Sequence, residues 1–208
     1  MTPTTTGGTD SSEGSGRSAR ILVVCTGNVC RSPIMERYLA RHLDERWHGE
    51  GAMIVASAGT SALVGSPMDD RAAEKARSLG LDTAGFTARA LTVEAIAAAD
   101  LVLTATRQHR GTVVSMYPKA LRSCFAVRDF AAVLAELPGA SEGDGADDAR
   151  RRVRRVVAAA AARRGFSPPL APADADIMDP YRRSDEVYAV MLSQIVDAMP
   201  GIVAGLAG

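Results

Sequence analysis

Residues 20–43 dictate a strand, a tight loop and a helix in immediate succession, and few folds other than an α/β sheet accommodate that order. Arg20-Ile21-Leu22-Val23-Val24 is a short, apolar, largely β-branched run. Such a run reads as a strand of a parallel sheet, buried on both faces. Ser32-Pro33 opens a helix, where proline is tolerated because its missing N–H would have had no partner. Ile34, Met35, Tyr38, Leu39, His42 and Leu43 then recur at helical spacing. The connecting loop is Cys25-Thr26-Gly27-Asn28-Val29-Cys30-Arg31. Gly27 and Asn28 both tolerate positive φ, which predicts N–H groups curled inward as an anion-binding nest at the helix N-terminus.

The remainder keeps alternating. Strands are predicted at Ala52–Ala56, Leu101–Thr104 and Ser123–Val127, and helices at Asp69–Leu79, Thr92–Ala98, Arg107–Met116 and Asp129–Glu136. Thr92 is placed to cap its helix, and Gly80 to stop the one before it. Right-handed crossovers then give a three-layer, doubly wound α/β fold, with helices on both faces of a parallel sheet. Residues 1–18 are rich in Thr, Gly and Ser and read as a disordered tail, leaving a folded domain over 19–207. An insertion is predicted at about 138–175. It comprises a Gly- and acid-rich linker over 138–148, a helix over 149–164 and an irregular Pro-rich stretch placed to gate a cleft. That helix sets Val153, Val156, Val157, Ala160 and Ala161 on one face, with seven arginines on the other face and at the ends. A surface helix laid against the domain is the expectation; a docking helix for an acidic partner is the alternative. A last amphipathic helix covers residues 185–205.

Acidic and basic residues balance at 24 each, which argues against bulk nucleic-acid binding. Three cysteines argue against a disulfide scaffold and for a reducing compartment. No apolar stretch approaches membrane-spanning length, and the N-terminal residues lack the apolar core of a signal peptide. A cytoplasmic location follows as the expectation, with export lacking a signal as the alternative, and a monomer or weak dimer. His42, His48 and His109 lack ligand spacing, so neither a metal nor another cofactor is expected.

The loop carries the chemistry. A cysteine beside a helix N-terminus and an arginine is expected to ionise below neutral pH, making Cys25 a nucleophile. Arg31 presents two parallel N–H groups to two phosphoryl oxygens. Ser32 can donate its hydroxyl to the sulfur. Attack on phosphorus then gives a phosphocysteine that water hydrolyses, with nest and guanidinium stabilising the equatorial oxygens.

Val24 to Pro33 closely resembles the phosphate-binding loop of low-molecular-weight protein tyrosine phosphatases, in particular bacterial members. Asp176-Ile177-Met178-Asp179-Pro180-Tyr181 is similar to that family's acid loop. Weaker likenesses are Ser57-Ala58-Gly59-Thr60, and Asp100 to Leu103 followed by Arg107 to Arg110. The resemblance implies a four-stranded sheet of order 2-1-3-4 and a phosphotyrosine-containing protein or peptide as substrate. It also implies phosphate or another oxyanion held by the loop, residues Thr26 and Gly27 included. Asp179 would be the general acid. Asn28 would hold the strained loop, Cys30 would form a reversible disulfide with Cys25, and Val29 and Tyr181 would wall the cleft. Two departures stand out. Phe86 occupies the position where many members carry a histidine bonded to the loop, so the loop must be braced otherwise. Arg182-Arg183 follow Tyr181 and suggest a basic rim, or else an ordinary solvated helix start. Two other functions fit the scaffold: an arsenate reductase, which needs relay cysteines where only Cys124 remains, and a phosphotyrosine-binding module without turnover.

Overall fold

The computed structural model describes residues 18–47, 52–137, 149–166 and 170–207. The expected tail (apart from Ser18) and the expected linker over 138–148 lie outside the described residues. Four parallel strands, β1 (Ala19–Cys25), β2 (Met53–Gly59), β3 (Leu101–Thr104) and β4 (Cys124–Ala126), form one sheet of order β2-β1-β3-β4. Sheet and order agree with the expectation.

Alternation along the strands sorts the core into two layers. Ile21, Val23, Leu101, Leu103 and Phe125 face one side, with α1 (Arg31–Arg46), α2 (Asp70–Ser78), α5 (Val127–Glu136), α6 (Ala149–Arg163) and α8 (Asp185–Ala207). Leu22, Val24, Val102 and Cys124 face the other, against α3 (Val93–Ala98) and α4 (Arg107–Met116). Side chains of Asp69, Thr92 and Thr106 cap α2, α3 and α4, each accepting a backbone N–H three residues on. Gly80, at φ +72°, ends α2 in the left-handed region that the sequence led one to expect.

Three expectations shift. Helix α1 begins at Arg31, so Pro33 is its third residue, still within the turn whose N–H groups have no intrahelical partner. Strand β4 has only three residues, and α5 starts directly after it, with Asp129 in its first turn rather than at its start. Helix α8 is, by length and composition, apolar enough to cross a membrane, contrary to the expectation that no stretch approaches that length. Its Tyr188, Met191, Ile195, Met199, Ile202 and Leu206 are instead buried in the core.

Helix α6 is laid against the domain. Val153 and Ala160 are fully buried. Its arginines do not simply line a free face: Arg150 and Arg154 both pair with the buried carboxylate of Asp100, at 3.0 and 2.8 Å, just before β3. Arg152 donates to the carbonyl of Leu206 near the end of α8. A short helix, α7 (Pro172–Ala175), then leads to the acid loop.

Candidate active site

The carbonyl groups of the loop 25–31 are drawn outward by the segment that follows β2. Thr60, Ser61, Leu63 and Asp69 donate their N–H groups to the carbonyls of Cys25, Thr26, Gly27 and Val29, at 2.9 to 3.0 Å. With those carbonyls held outside, the peptide N–H groups turn inward. Among the described residues no acceptor takes the N–H of residues 27–31. The inward donors and the N-terminus of α1 form the expected nest. Its positive φ belongs to Asn28 alone, at 55°; Gly27 does not share it, correcting that expectation. The glycine that this packing demands is Gly59, where an added Cβ would lie 2.4 Å from the carbonyl oxygen of Thr26.

Asn28 is fully buried and braces the loop from behind. Its Oδ1 accepts the backbone N–H of Arg89 at 2.7 Å, which fixes the amide orientation. Its Nδ2 donates to Ser32 Oγ at 2.9 Å and to Ser57 Oγ at 2.8 Å. Ser57 donates onward to Glu36 Oε2 at 2.5 Å, and Glu36 also meets Arg89 Nη2 at 3.3 Å. Ser32 Oγ, having accepted from Asn28, has its own hydrogen free for Cys25 Sγ, 3.0 Å away. The brace expected to come from elsewhere, since Phe86 lies in the apolar core, therefore comes from Arg89 and Glu36. Sequence reasoning missed Glu36. The available signal was its spacing, one turn beyond Ser32 on the same helix face.

Cys25, Thr26, Gly27, Val29, Cys30, Arg31, Asp179 and Tyr181 line one cavity of about 140 Å³, with Ser61 and Leu63. Asn28 and Ser32 stand directly behind it, so all ten residues singled out from the sequence come together. Arg31 is 4% exposed. Its Nη1 donates to the carbonyl of Ile177 at 3.2 Å, and its Nη2 reaches Thr26 Oγ1 at 3.2 Å and Asp179 Oδ2 at 2.8 Å. Asp179 is half exposed, and its Oδ1 accepts the N–H of Tyr181 at 3.2 Å. Apolar Val29, half-exposed Leu63 and Tyr181 form the walls. Leu63 was not anticipated.

Two further groups were missed. His109 is buried between Thr26 Oγ1, 2.8 Å from Nε2, and Thr106 Oγ1, 2.7 Å from Nδ1. Thr106 Oγ1 also accepts the backbone N–H of His109. Whichever ring nitrogen of the neutral imidazole carries the hydrogen donates to the threonine beside it, and the other accepts. Burial, and then the charge of Arg31, push the imidazole down to about 4. Thr26 Oγ1, on the cavity wall, accepts from Arg31 Nη2 and is bonded to His109 Nε2. On the other side Cys30 meets Tyr188, whose hydroxyl donates to Asp69 Oδ1 at 2.8 Å. Burial, with Asp69 next, pushes the Cys30 thiol up to about 12.

The family model for low molecular weight phosphotyrosine protein phosphatases matches residues 20–162. Asp179 lies beyond that range, so its place rests on the geometry above. A curated relative, the putative low molecular weight protein-tyrosine-phosphatase of Klebsiella pneumoniae, is 39% identical over 100 residues, which is 48% of this chain. The match covers 65% of that relative, slightly under two thirds of its length. Among solved structures, Vibrio vulnificus Wzb in complex with benzylphosphonate is 25% identical with a TM-score of 0.61, covering 89% of this chain and 97% of that one. The YwlE arginine phosphatase from Geobacillus stearothermophilus is also 25% identical with a TM-score of 0.61, covering 89% and 90%.

Proposed function

Because the chain belongs to the low molecular weight phosphotyrosine protein phosphatase family, we propose that it hydrolyses aryl phosphate monoesters of the phosphotyrosine type through a phosphocysteine intermediate. One observation carries the reading: a sulfur hydrogen-bonded by Ser32, a buried guanidinium and the Asp179 carboxyl face the same small cleft.

In the resting site the Asp179 carboxylate stands where a phosphoryl group would sit, on Arg31 Nη2. Substrate takes over that guanidinium, and its phosphoryl oxygens also face the inward N–H groups and the hydroxyl of Thr26. Asp179, displaced from Arg31 and protonated, is left beside the leaving oxygen. Cys25 Sγ attacks as the thiolate. The S–P bond forms, the P–O bond to the aryl group breaks, and Asp179 transfers its proton to the departing phenolate. In the second step Asp179 takes a proton from water, the water oxygen bonds to phosphorus, and the thiolate leaves with inorganic phosphate as product. Ser32 stabilises the sulfur as nucleophile and as leaving group.

Val29, Leu63 and Tyr181 favour an aromatic ring over an extended polar side chain. The arsenate-reductase alternative lacks support, since Cys124 is buried in β4 and burial pushes its thiol up to about 12. Cys30 retains its role in the proposal as resolving thiol. Peroxide converts Cys25 to the sulfenic acid, which condenses with the Cys30 thiol to a disulfide and water.

The test is acid quenching during turnover of p-nitrophenyl phosphate, followed by mapping of the phosphorylated peptide. Phosphate on Cys25 is expected, together with faster turnover of a phosphotyrosine peptide than of a phosphoarginine peptide. Hydrolysis without a cysteine adduct would end the mechanism, and preference for phosphoarginine would end the aryl assignment.

A further inference from the structure

A second cavity, of about 250 Å³, opens along the sheet-edge strand β4 between α4, α5 and the end of α6. It shares no lining residue with the cleft at Cys25. Two arginines converge in it on a single acceptor. Arg110 Nε lies 2.9 Å from the carbonyl oxygen of Cys124, and Arg164 Nη2 lies 2.5 Å from the same atom. Arg164 also donates to the carbonyl of Leu121, and its guanidinium lies 3.8 Å from the centre of the Phe125 ring.

Capping an exposed strand edge explains one of these arginines. It does not explain two on one oxygen. Like charges held together in a half-buried place repel, and among the described residues no carboxylate is bonded to either guanidinium to offset them; Asp129 acts on Arg164 only at a distance. The nearby carboxylates are already engaged, Asp129 by Arg107 at 2.7 Å and Glu136 by Arg163 at 3.6 Å. Among the described residues neither Arg110 nor Arg164 has a carboxylate partner, and Arg110 uses only Nε–H of its five N–H groups. Burial, with the charge of Arg110 second, accordingly pushes Arg164 down to about 10. Beside this excess of positive charge lies an apolar wall of Phe125, Ala132 and Val133.

We propose that this cavity is a binding site for a small organic phosphate, its phosphoryl oxygens taken by Arg110 and Arg164 and its apolar body laid against Phe125 and Val133. The forked guanidinium groups suit a phosphoryl face, and the volume suits a molecule of a dozen or so heavy atoms. Arg107 connects the site to the acid loop. Its guanidinium binds Asp129 and the carbonyl of Leu170, while its backbone N–H binds Asp176 Oδ1 at 2.8 Å.

The probe is phenylphosphonate, titrated into the full chain and followed by NMR of backbone amides and arginine Nε–H groups, with vanadate first saturating the loop at Cys25. A saturable event is expected that moves Phe125, Ala132 and the Nε–H of Arg110 and Arg164. Arg110→Gln and Arg164→Gln, made singly, should each weaken it tenfold or more. Both should leave hydrolysis of p-nitrophenyl phosphate unchanged, which also reports an intact fold. Inorganic phosphate should bind the same site more weakly, since it lacks the apolar body. No event beyond the loop, equal affinity for inorganic phosphate, or an event indifferent to both substitutions in variants that remain active would each overturn the proposal.

Discussion

The two halves of the candidate site are held in opposite ways. The nucleophile side is a closed network: Asn28, Ser32, Ser57 and Glu36 are buried, and the carbonyls of the loop are tied to the segment after β2. The acid side is a short strap. Asp176, Ile177 and Met178 are pinned at its base by Arg107, Ala105 and Gln194, while Asp179 and Tyr181 project half exposed. The difference follows from the task proposed for each. A nest must be shaped before the anion arrives, because reorganising it during reaction would raise the barrier. An acid must leave Arg31 for the leaving oxygen, so it cannot be locked.

Four substitutions test that contrast, from the largest effect downward. Cys25→Ser should abolish hydrolysis of p-nitrophenyl phosphate, by at least about four orders of magnitude in kcat, as loss of a nucleophile does. Asp179→Asn should lower kcat by about 10²- to 10³-fold. A series of aryl phosphates should show the loss growing as the leaving phenol becomes less acidic; a uniform loss would assign Asp179 to binding instead. Asn28→Ala should destabilise the fold by about 3 kcal/mol in urea denaturation, since it leaves the Arg89 N–H without its acceptor and the Ser32 and Ser57 hydroxyls without their donor, and alanine tolerates positive φ less well than asparagine. Asn28→Gly removes the bonds without that strain and should cost about 1 kcal/mol less. If both variants melted like the parent, the nest would not depend on its brace.

The last effect concerns His109 and shows only on acidification. Its folded-state value of about 4 lies below the ordinary 6.5, so between those pH values the unfolded chain takes up a proton that the folded chain refuses. Stability should therefore fall as pH drops from about 6.5 to about 4, and change no further through this group below that. His109→Gln should flatten the contribution, read as the pH dependence of the urea midpoint. An unchanged slope would mean that the folded and unfolded chains take up this proton alike.

The nucleophile side was legible in the sequence because its parts are contiguous. Cys25 to Ser32 lie on one strand–loop–helix, and local sterics with hydrogen-bond chemistry suffice to shape them. The acid side could be found only as a second short motif far along the chain. What braces each half was largely hidden. Glu36 had only its helical spacing from Ser32 as a signal, and the roles of Arg89 and His109 exist only once β2, β3 and α4 are placed side by side. The opposite error is equally instructive. Gly27 looked conformationally necessary, whereas the steric demand fell on Gly59, which a neighbouring loop presses against. The seven arginines of the insertion were expected on the face turned from the domain and at the helix ends, and several instead clamp Asp100, α8 and β4.

Periodicity and turn chemistry act within a few residues, and they determined the order of strands and helices, the two-sided cover of the sheet and the composition of the phosphate loop. Strand order in space was legible only through resemblance, since nothing local records which strand lies beside which. Tertiary structure alone decided which distant polar groups meet: Arg89 with Asn28, His109 with Thr26, and Arg110 with Arg164 on one carbonyl. Hydrogen bonds and charges act over a few ångströms in space, and only the folded chain brings residues tens of positions apart within that range.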